Sequence, residues 1–410
     1  MAKKVIVAGA FDTKGLEYKF IIDLLKGRNL QVITVNTGVM GSTDSFTVDI
    51  PADAVAKAGG TDIDTLRKAN DRGRAIAAMS DGLAATLKDL HAKEGFDGII
   101  GMGGTAGTNV VTSGMRDLPY GLPKICVSTV AGGDVSPYVG ISDIIMIPSL
   151  VDISGLNPLS QAIFTNAAGA LSGMVESKKD EPEKQATGKP TIAASMFGNT
   201  TPCIDACREA LNKKGYEVLV FHATGAGGKT MEKLIDEGLV QGALDITTTE
   251  WADTLCGGVF DAGPTRLDAP GKAGIPHLIS PGCIDMCNFG SHDTVPAKYK
   301  DRLFYKWNPQ VTLMRTTVEE NRKMGEKFAE KANKAKGKVA FIIPLKGYSM
   351  LDSVNDKNEP QLFWDPAADK AFVEGLKGKL KTGIDIIEVD ANINDKAFSD
   401  KAVEVFLSMI

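Results

Sequence analysis

The residues of this chain suited to chemistry gather in short glycine-rich runs, each placed just after an apolar stretch. Gly101-Met-Gly-Gly-Thr-Ala-Gly-Thr108 is the strongest. Glycines let backbone N–H groups approach an anion, and a helix that follows adds its N-terminal dipole. Gly103, Gly104 and Gly107 would open the backbone, with Thr105 and Thr108 adding hydroxyl donors. The spacing Gly-x-Gly-Gly-x-x-Gly departs from the dinucleotide fingerprint, and no acidic ribose ligand stands about 20 residues further on. Phe11-Asp12-Thr13-Lys14-Gly15 closes the first apolar run, where Asp12 or Thr13 suits a helix N-cap and Lys14 suits a phosphate. Thr37 and Gly38 follow the second run, and Thr129-Val-Ala-Gly132-Gly133-Asp134 follows a later one. Asp134 and Ser136 are candidates there for a ribose or a metal. Loops of this kind leave the carboxyl ends of strands, the ligand edge of an open α/β sheet.

The second half has its own loops. Ala223-Thr-Gly225-Ala-Gly227-Gly228-Lys229-Thr230 fits a relaxed phosphate-binding pattern, with Ala in place of the first glycine. The acidic partner strand such a loop needs is poor, since Gly242-Ala-Leu-Asp245 is short, so an anion loop of another geometry is the better reading. His222 ends a strand directly before that loop and is placed for acid–base work, although a hydrogen-bonded structural histidine explains it equally well. Glu250, after Thr247-Thr-Thr, and Asp285, in Pro281-Gly-Cys-Ile-Asp-Met-Cys-Asn288, are carboxylates in similar loop positions. With His222 they could form an acid–base or metal cluster. The pairs Cys203/Cys207 and Cys283/Cys287, with Cys256 nearby, are spaced too loosely for a zinc or iron–sulfur site and read as buried thiols. No Gly-x-Ser-x-Gly elbow supports a serine hydrolase.

These loops need a frame, and composition supplies the first bounds. The 410 residues carry 46 Lys+Arg against 51 Asp+Glu, a net charge of −5. That balance argues against an electrostatic grip on nucleic acid or an anionic membrane. The length suits two or three domains of about 150 residues. No run approaches about 18 uncharged apolar residues, the length of a membrane span. The Val5–Phe11 run is too short for a signal peptide. Six cysteines are no disulfide framework and fit a reducing cytoplasm. Glycine is in excess, at 44 residues, where an average of roughly 7% would give fewer.

Along the chain, short apolar strands alternate with helical stripes. Strands are expected at 5–8, 31–35, 98–101, 124–129 and 141–147, with a helix over 15–28 carrying Leu16, Phe20, Ile21, Leu24 and Leu25, and one long polar helix over 64–93. This is the signature of βαβ units and a mainly parallel sheet. A charged, proline-containing stretch ending at Pro190 reads as a linker over 181–190 between an N-terminal domain, 1–180, and a C-terminal one, 191–410. After it the pattern restarts with a strand over 191–195 and a helix reaching Lys214. The restart sets Asp12-Thr13 against Asn199-Thr200 and Thr37-Gly38 against Thr224-Gly225, which points to a possible internal duplication. The expected class is α/β, two Rossmann-like domains with mainly parallel sheets.

The same segments carry a family resemblance. Val7-Ala-Gly-Ala-Phe-Asp-Thr-Lys-Gly15, Gly101–Thr108, Ser128–Gly140, Phe221–Gly228, Pro281–Met286 and Leu313-Met-Arg-Thr-Thr317 together span nearly the whole chain. They resemble the uncharacterised two-domain family that includes the ATP-binding inhibitory domain of a tomato mosaic virus resistance protein. The resemblance implies two Rossmann-like domains, ATP binding with Mg2+ as a possible companion, and a homodimer. It also implies pairing with a phosphoenolpyruvate-mutase-like barrel protein in microbial relatives. In the family a small or basic pair tends to stand where Lys229 and Thr230 are, which makes the phosphate-loop match there incidental. The combined expectation is a cytoplasmic nucleotide-binding protein that also takes an unknown small molecule at an interdomain cleft. A non-catalytic nucleotide sensor, or an ATP-independent lyase or hydrolase for a small phosphorylated or carboxylate substrate, are the alternatives.

Overall fold

The structure is a computed structural model that describes residues 3–177, 188–355 and 357–410. The chain divides into two compact units, Met1–Gln185 and Ala186–Ile410. Most of the segment read as a linker, 181–187, lies outside the described residues.

The first unit runs β1 (Lys4–Gly9), α1 (Phe11–Gly27), β2 (Gln31–Asn36), α2 (Ala52–Ala58), α3 (Ile63–Ala69), α4 (Arg72–Lys93), β3 (Gly98–Gly103), α5 (Thr105–Arg116), β4 (Lys124–Ser128), α6 (Ser136–Val139), β5 (Ile145–Pro148) and α7 (Pro158–Ser177). Its five strands lie in the order β2-β1-β3-β4-β5, and every pairing is parallel. Because helices cover both faces, the strands are apolar throughout rather than alternating. Successive β1 residues serve opposite layers. Ile6 and Ala8 pack with Leu83 and Val111, while Val5 and Val7 pack with Ile21, Leu25 and Leu171.

One expectation fails here. The single long helix over 64–93 is two helices, α3 and α4, parted at Asn70 and Asp71. Asn70 takes a left-handed φ of 45°, which asparagine tolerates better than other non-glycine residues. The Asp71 carboxylate then caps α4 by accepting the Arg74 N–H at 3.0 Å. The polar spacing hid the break because the helical period resumes after it.

The second unit continues with β6 (Thr191–Met196), α8 (Thr201–Lys213), β7 (Glu217–His222), α9 (Ala226–Asp236), β8 (Gly242–Thr247), α10 (Glu250–Cys256), α11 (Ala269–Ala273) and β9 (His277–Gly282). It ends with β10 (Met286–Phe289), β11 (Phe304–Asn308), β12 (Val311–Arg315), α12 (Val318–Ala332), β13 (Val339–Pro344), α13 (Pro366–Lys379), β14 (Asp385–Val389) and α14 (Lys396–Met409). Its main sheet is ordered β14-β13-β9-β8-β6-β7, again parallel at every pairing. Read from β7 inward, this is the strand order of the first unit with one strand added. Between β9 and β13 the chain builds a small antiparallel sheet, β10-β12-β11, which the sequence pattern did not reveal. Among the described residues no helix is long and apolar enough to cross a membrane.

Candidate functional site

In the first unit the strand order places the loops after β1 and β3 side by side while their helices depart to opposite faces of the sheet. A cavity of about 610 Å³ opens there. It brings together Asp12, Thr13, Lys14, Thr37, Gly38, Gly103, Gly104, Thr105 and Gly107, from three loops far apart in sequence. An apolar wall of Val39, Leu66, Ile76, Met79 and Val110 faces them.

The donors are arranged for an anion. Gly104 stands at the N-cap of α5 and offers no side-chain cap. The Thr108 N–H already bonds the Gly104 carbonyl at 2.8 Å. The N–H groups of Thr105, Ala106 and Gly107 are therefore the unsatisfied first-turn donors of that helix. Lys14 interrupts the helical φ/ψ of α1, and its ammonium donates to the Ile153 carbonyl at 2.5 Å. It has no carboxylate partner among the described ion pairs. Asp12 turns one carboxylate oxygen to the Met40 N–H at 3.0 Å, while its Oδ1 is buried without a partner. Gly38 makes that packing possible, because a Cβ there would stand 2.3 Å from Asp12 Oδ1.

The remaining first-unit candidates lie outside the cavity lining. Phe11 is core, edge-on to Tyr18 and Phe46. Thr108 is fully buried, its hydroxyl 2.6 Å from Ser128 Oγ and donating to the Gly103 carbonyl at 3.2 Å. That pair ties the ends of β3 and β4 together. Thr129 is exposed close to Gly104, and its N–H donates to the Gly103 carbonyl at 3.2 Å. Gly132 and Gly133 are exposed in the turn beyond it.

Sequence reasoning missed the supports. Asn36 accepts the N–H groups of Phe11 and Gly38 at 3.1 and 2.8 Å and donates to the Gly41 carbonyl, fixing the loops after β1 and β2. Tyr18 bonds the Ala8 carbonyl and both backbone groups of Met102 beneath the strand ends. Arg67, Asn70 and Arg72, at the unforeseen break between α3 and α4, complete the cavity wall.

The second unit treats its glycine loop differently. The N–H groups of Gly225 and Gly228, at the start of α9, donate to Glu250 Oε1 at 2.8 and 3.0 Å. The loop is an anion nest, and its anion is the protein's own carboxylate. Gly228 has to be glycine, since a Cβ would stand 2.2 Å from Glu250 Oε2. Lys229 is exposed, and the Thr230 hydroxyl bonds the Ala226 carbonyl within the helix, so neither acts as in a phosphate loop.

Glu250 belongs to a buried ionic network. Arg266 Nε donates to Glu250 Oε2 at 2.6 Å, and its two Nη groups grip both oxygens of Asp245 at 2.5 and 2.6 Å. Glu232 lies 3.4 Å away and caps the Leu267 and Ala269 amides. Burial pushes the Glu250 and Glu232 carboxyls up, with Arg266 pulling the other way. For Asp245 the bidentate guanidinium outweighs burial and holds the carboxyl far below its usual range.

Asp285 sits in a separate network. It is fully buried; Ser349 donates to its Oδ2 at 2.8 Å, and its Oδ1 has no partner. Burial first, then the neighbouring Asp352, push it up to about 7, against the pull of Arg315. His222 is exposed with its ring against Phe197, centroids 5.5 Å apart. Among the described residues no hydrogen bond joins His222, Glu250 and Asp285, and no three His, Cys, Asp or Glu side chains are grouped to hold a metal. All six cysteines are free and buried.

The architecture is thus a pair of doubly wound parallel α/β units, one with a cavity at the carboxyl edge of its sheet and one whose glycine loop there is met by a carboxylate of the chain itself. The chain belongs to the uncharacterised protein family UPF0261: its N-terminal domain model matches residues 3–180 and its C-terminal domain model residues 189–410. A UPF0261 protein of Clostridium tetani is 47% identical over all of both chains. One from Mesorhizobium japonicum is 43% identical over 99% of each. The ToMV resistance protein Tm-1 of Solanum lycopersicum is 42% identical over 83% of this chain, a match that spans 45% of that longer protein.

Proposed function

We propose that the first unit binds ATP, with the triphosphate at the N-terminus of α5 and the base against the apolar wall. One observation carries the reading. The cavity unites uncapped helix amides, an ammonium without a carboxylate partner and a greasy wall at the point where the strand order reverses. Ligands of open α/β sheets bind at such points. Asp12 Oδ1, buried in the cavity without a partner, would meet Mg2+, with phosphate oxygens and water as its other ligands. The resemblance to an ATP-binding domain points the same way. A small phosphorylated substrate without a base is the competing ligand, and the same amides would serve it.

Thermal unfolding with and without ATP, ADP and Mg2+ tests the reading. A ligand at about 100 times its dissociation constant stabilises by roughly 2.7 kcal/mol, a shift of several degrees. Lys14→Ala removes a charge-assisted contact of about 1.5–3 kcal/mol and should weaken ATP roughly 10- to 100-fold by calorimetry. Unchanged affinity in that variant removes Lys14 from the site.

A further inference from the structure

The charges lining the first cavity do not balance locally. Each of its two carboxylates gives one oxygen to a backbone N–H, Asp71 to Arg74 and Asp12 to Met40, and among the described residues neither is in an ion pair. Of its three cations, Arg67 is spoken for, donating to the Val39 carbonyl at 2.7 Å and standing 3.4 Å from Asp64. Lys14 and Arg72 are left without a carboxylate partner among the described residues, although both line the same space. They come from different elements: Lys14 from the loop side of α1, Arg72 from the first turn of α4.

Arg72 is also in the wrong place for a merely structural arginine. The first turn of α4 holds Arg72 and Arg74 and no acidic residue. The positive end of a helix dipole disfavours cations and favours anions. Rules of this kind are expected to break at functional positions, and this one breaks in the wall of the cavity. The break at Asn70, which the helical pattern did not call for, is what turns this helix end towards the cavity.

We propose that Arg72 forms a second anion position in this cavity, separate from the α5 amides and Lys14, and that it makes the site select a nucleoside polyphosphate over a monophosphate. This rests on the nucleotide reading above. The first phosphate takes the α5 N-terminus and Lys14, and the end of the phosphate chain reaches Arg72. On this reading a monophosphate occupies the first position alone. Arg67, tethered to Val39, steadies the wall beside it.

The experiment is calorimetry of ATP, ADP and AMP, each without added metal and with Mg2+, against wild type, Arg72→Ala and Arg72→Lys. Arg72 is exposed, so its replacement leaves the core intact; circular dichroism confirms the fold. The expected result is an ATP affinity about tenfold lower in Arg72→Ala, an AMP affinity unchanged, and partial recovery of the ATP preference in Arg72→Lys. Equal losses for ATP and AMP, or no loss for either, overturn the second position while leaving nucleotide binding standing. Failure of the wild-type protein to bind any of the three overturns both readings.

Discussion

The two units share a strand order and treat the same edge of the sheet in opposite ways. In the first, the helix after the third strand begins at Gly104-Thr105 with bare amides facing a cavity. In the second, the helix after the corresponding strand begins at Glu250, whose carboxylate crosses to the amides of Gly225 and Gly228. Donors look for an anion in both units. In the second unit that anion belongs to the chain itself and is paired with Arg266, whereas among the described residues no carboxylate of the chain reaches the first-unit amides. The same glycine-rich pattern after a strand thus meets different neighbours in the two units, and those neighbours decide whether a carboxylate of the chain occupies it.

The largest effect should come from breaking the internal solution. Arg266→Ala leaves Asp245, Glu250 and Glu232 buried without their cation, and should cost about 3–5 kcal/mol of second-unit stability in urea unfolding. A loss below about 1 kcal/mol would show that the carboxylates simply protonate.

The glycines sharpen the contrast. Gly228→Ala drives a methyl into Glu250 and should cost about 1–3 kcal/mol. Gly104→Ala, whose Cβ would meet nothing nearer than Thr129 Oγ1 at 3.8 Å, should cost under about 0.5 kcal/mol of stability. Equal costs measured by denaturation would mean that the first-unit loop is as closed as the second.

A pH slope in the second unit tests the contrast independently of any single contact. Asp285 and Asp253 are each pushed up to about 7 by burial, with Asp352 adding to the shift of the first and Glu250 to that of the second. A carboxyl with a raised folded value holds more protons when folded than unfolded. Stability should thus fall as pH rises from about 4 to 7 and level off above it, by up to about 1.4 kcal/mol per pH unit for each group. Asp285→Asn should flatten its share of that slope. A stability rising with pH across 5 to 7 contradicts the assignment.

Much of the fold was legible because parallel strands buried on both faces announce themselves as short apolar runs. Val5–Ala8, Gly98–Gly101 and Val339–Ile343 all lie within observed strands. The antiparallel sheet of β10, β11 and β12 was not, since β11 is largely exposed and carries no apolar run. The break at Asn70 was missed because one left-handed residue does not disturb a helical period. Of the candidate site, loop membership was readable from glycine and hydroxyl spacing. Arg67, Arg72 and Asn36 were not, because nothing local distinguishes an arginine on a polar helix or an asparagine ending a strand. Glu250 could be picked out as a loop carboxylate, but not as the occupant of the loop containing Gly225.

By itself the sequence determined that the chain is a pair of α/β units with glycine-rich loops at strand ends, because periodicity and backbone freedom are local properties. Tertiary structure alone decided which of those loops receives a carboxylate from elsewhere in the chain. That choice depends on a carboxylate meeting amides 22 and 25 residues away, and an arginine meeting three carboxylates from separate elements. Such meetings are set by how strands are ordered and helices packed, and no short stretch of chain records them.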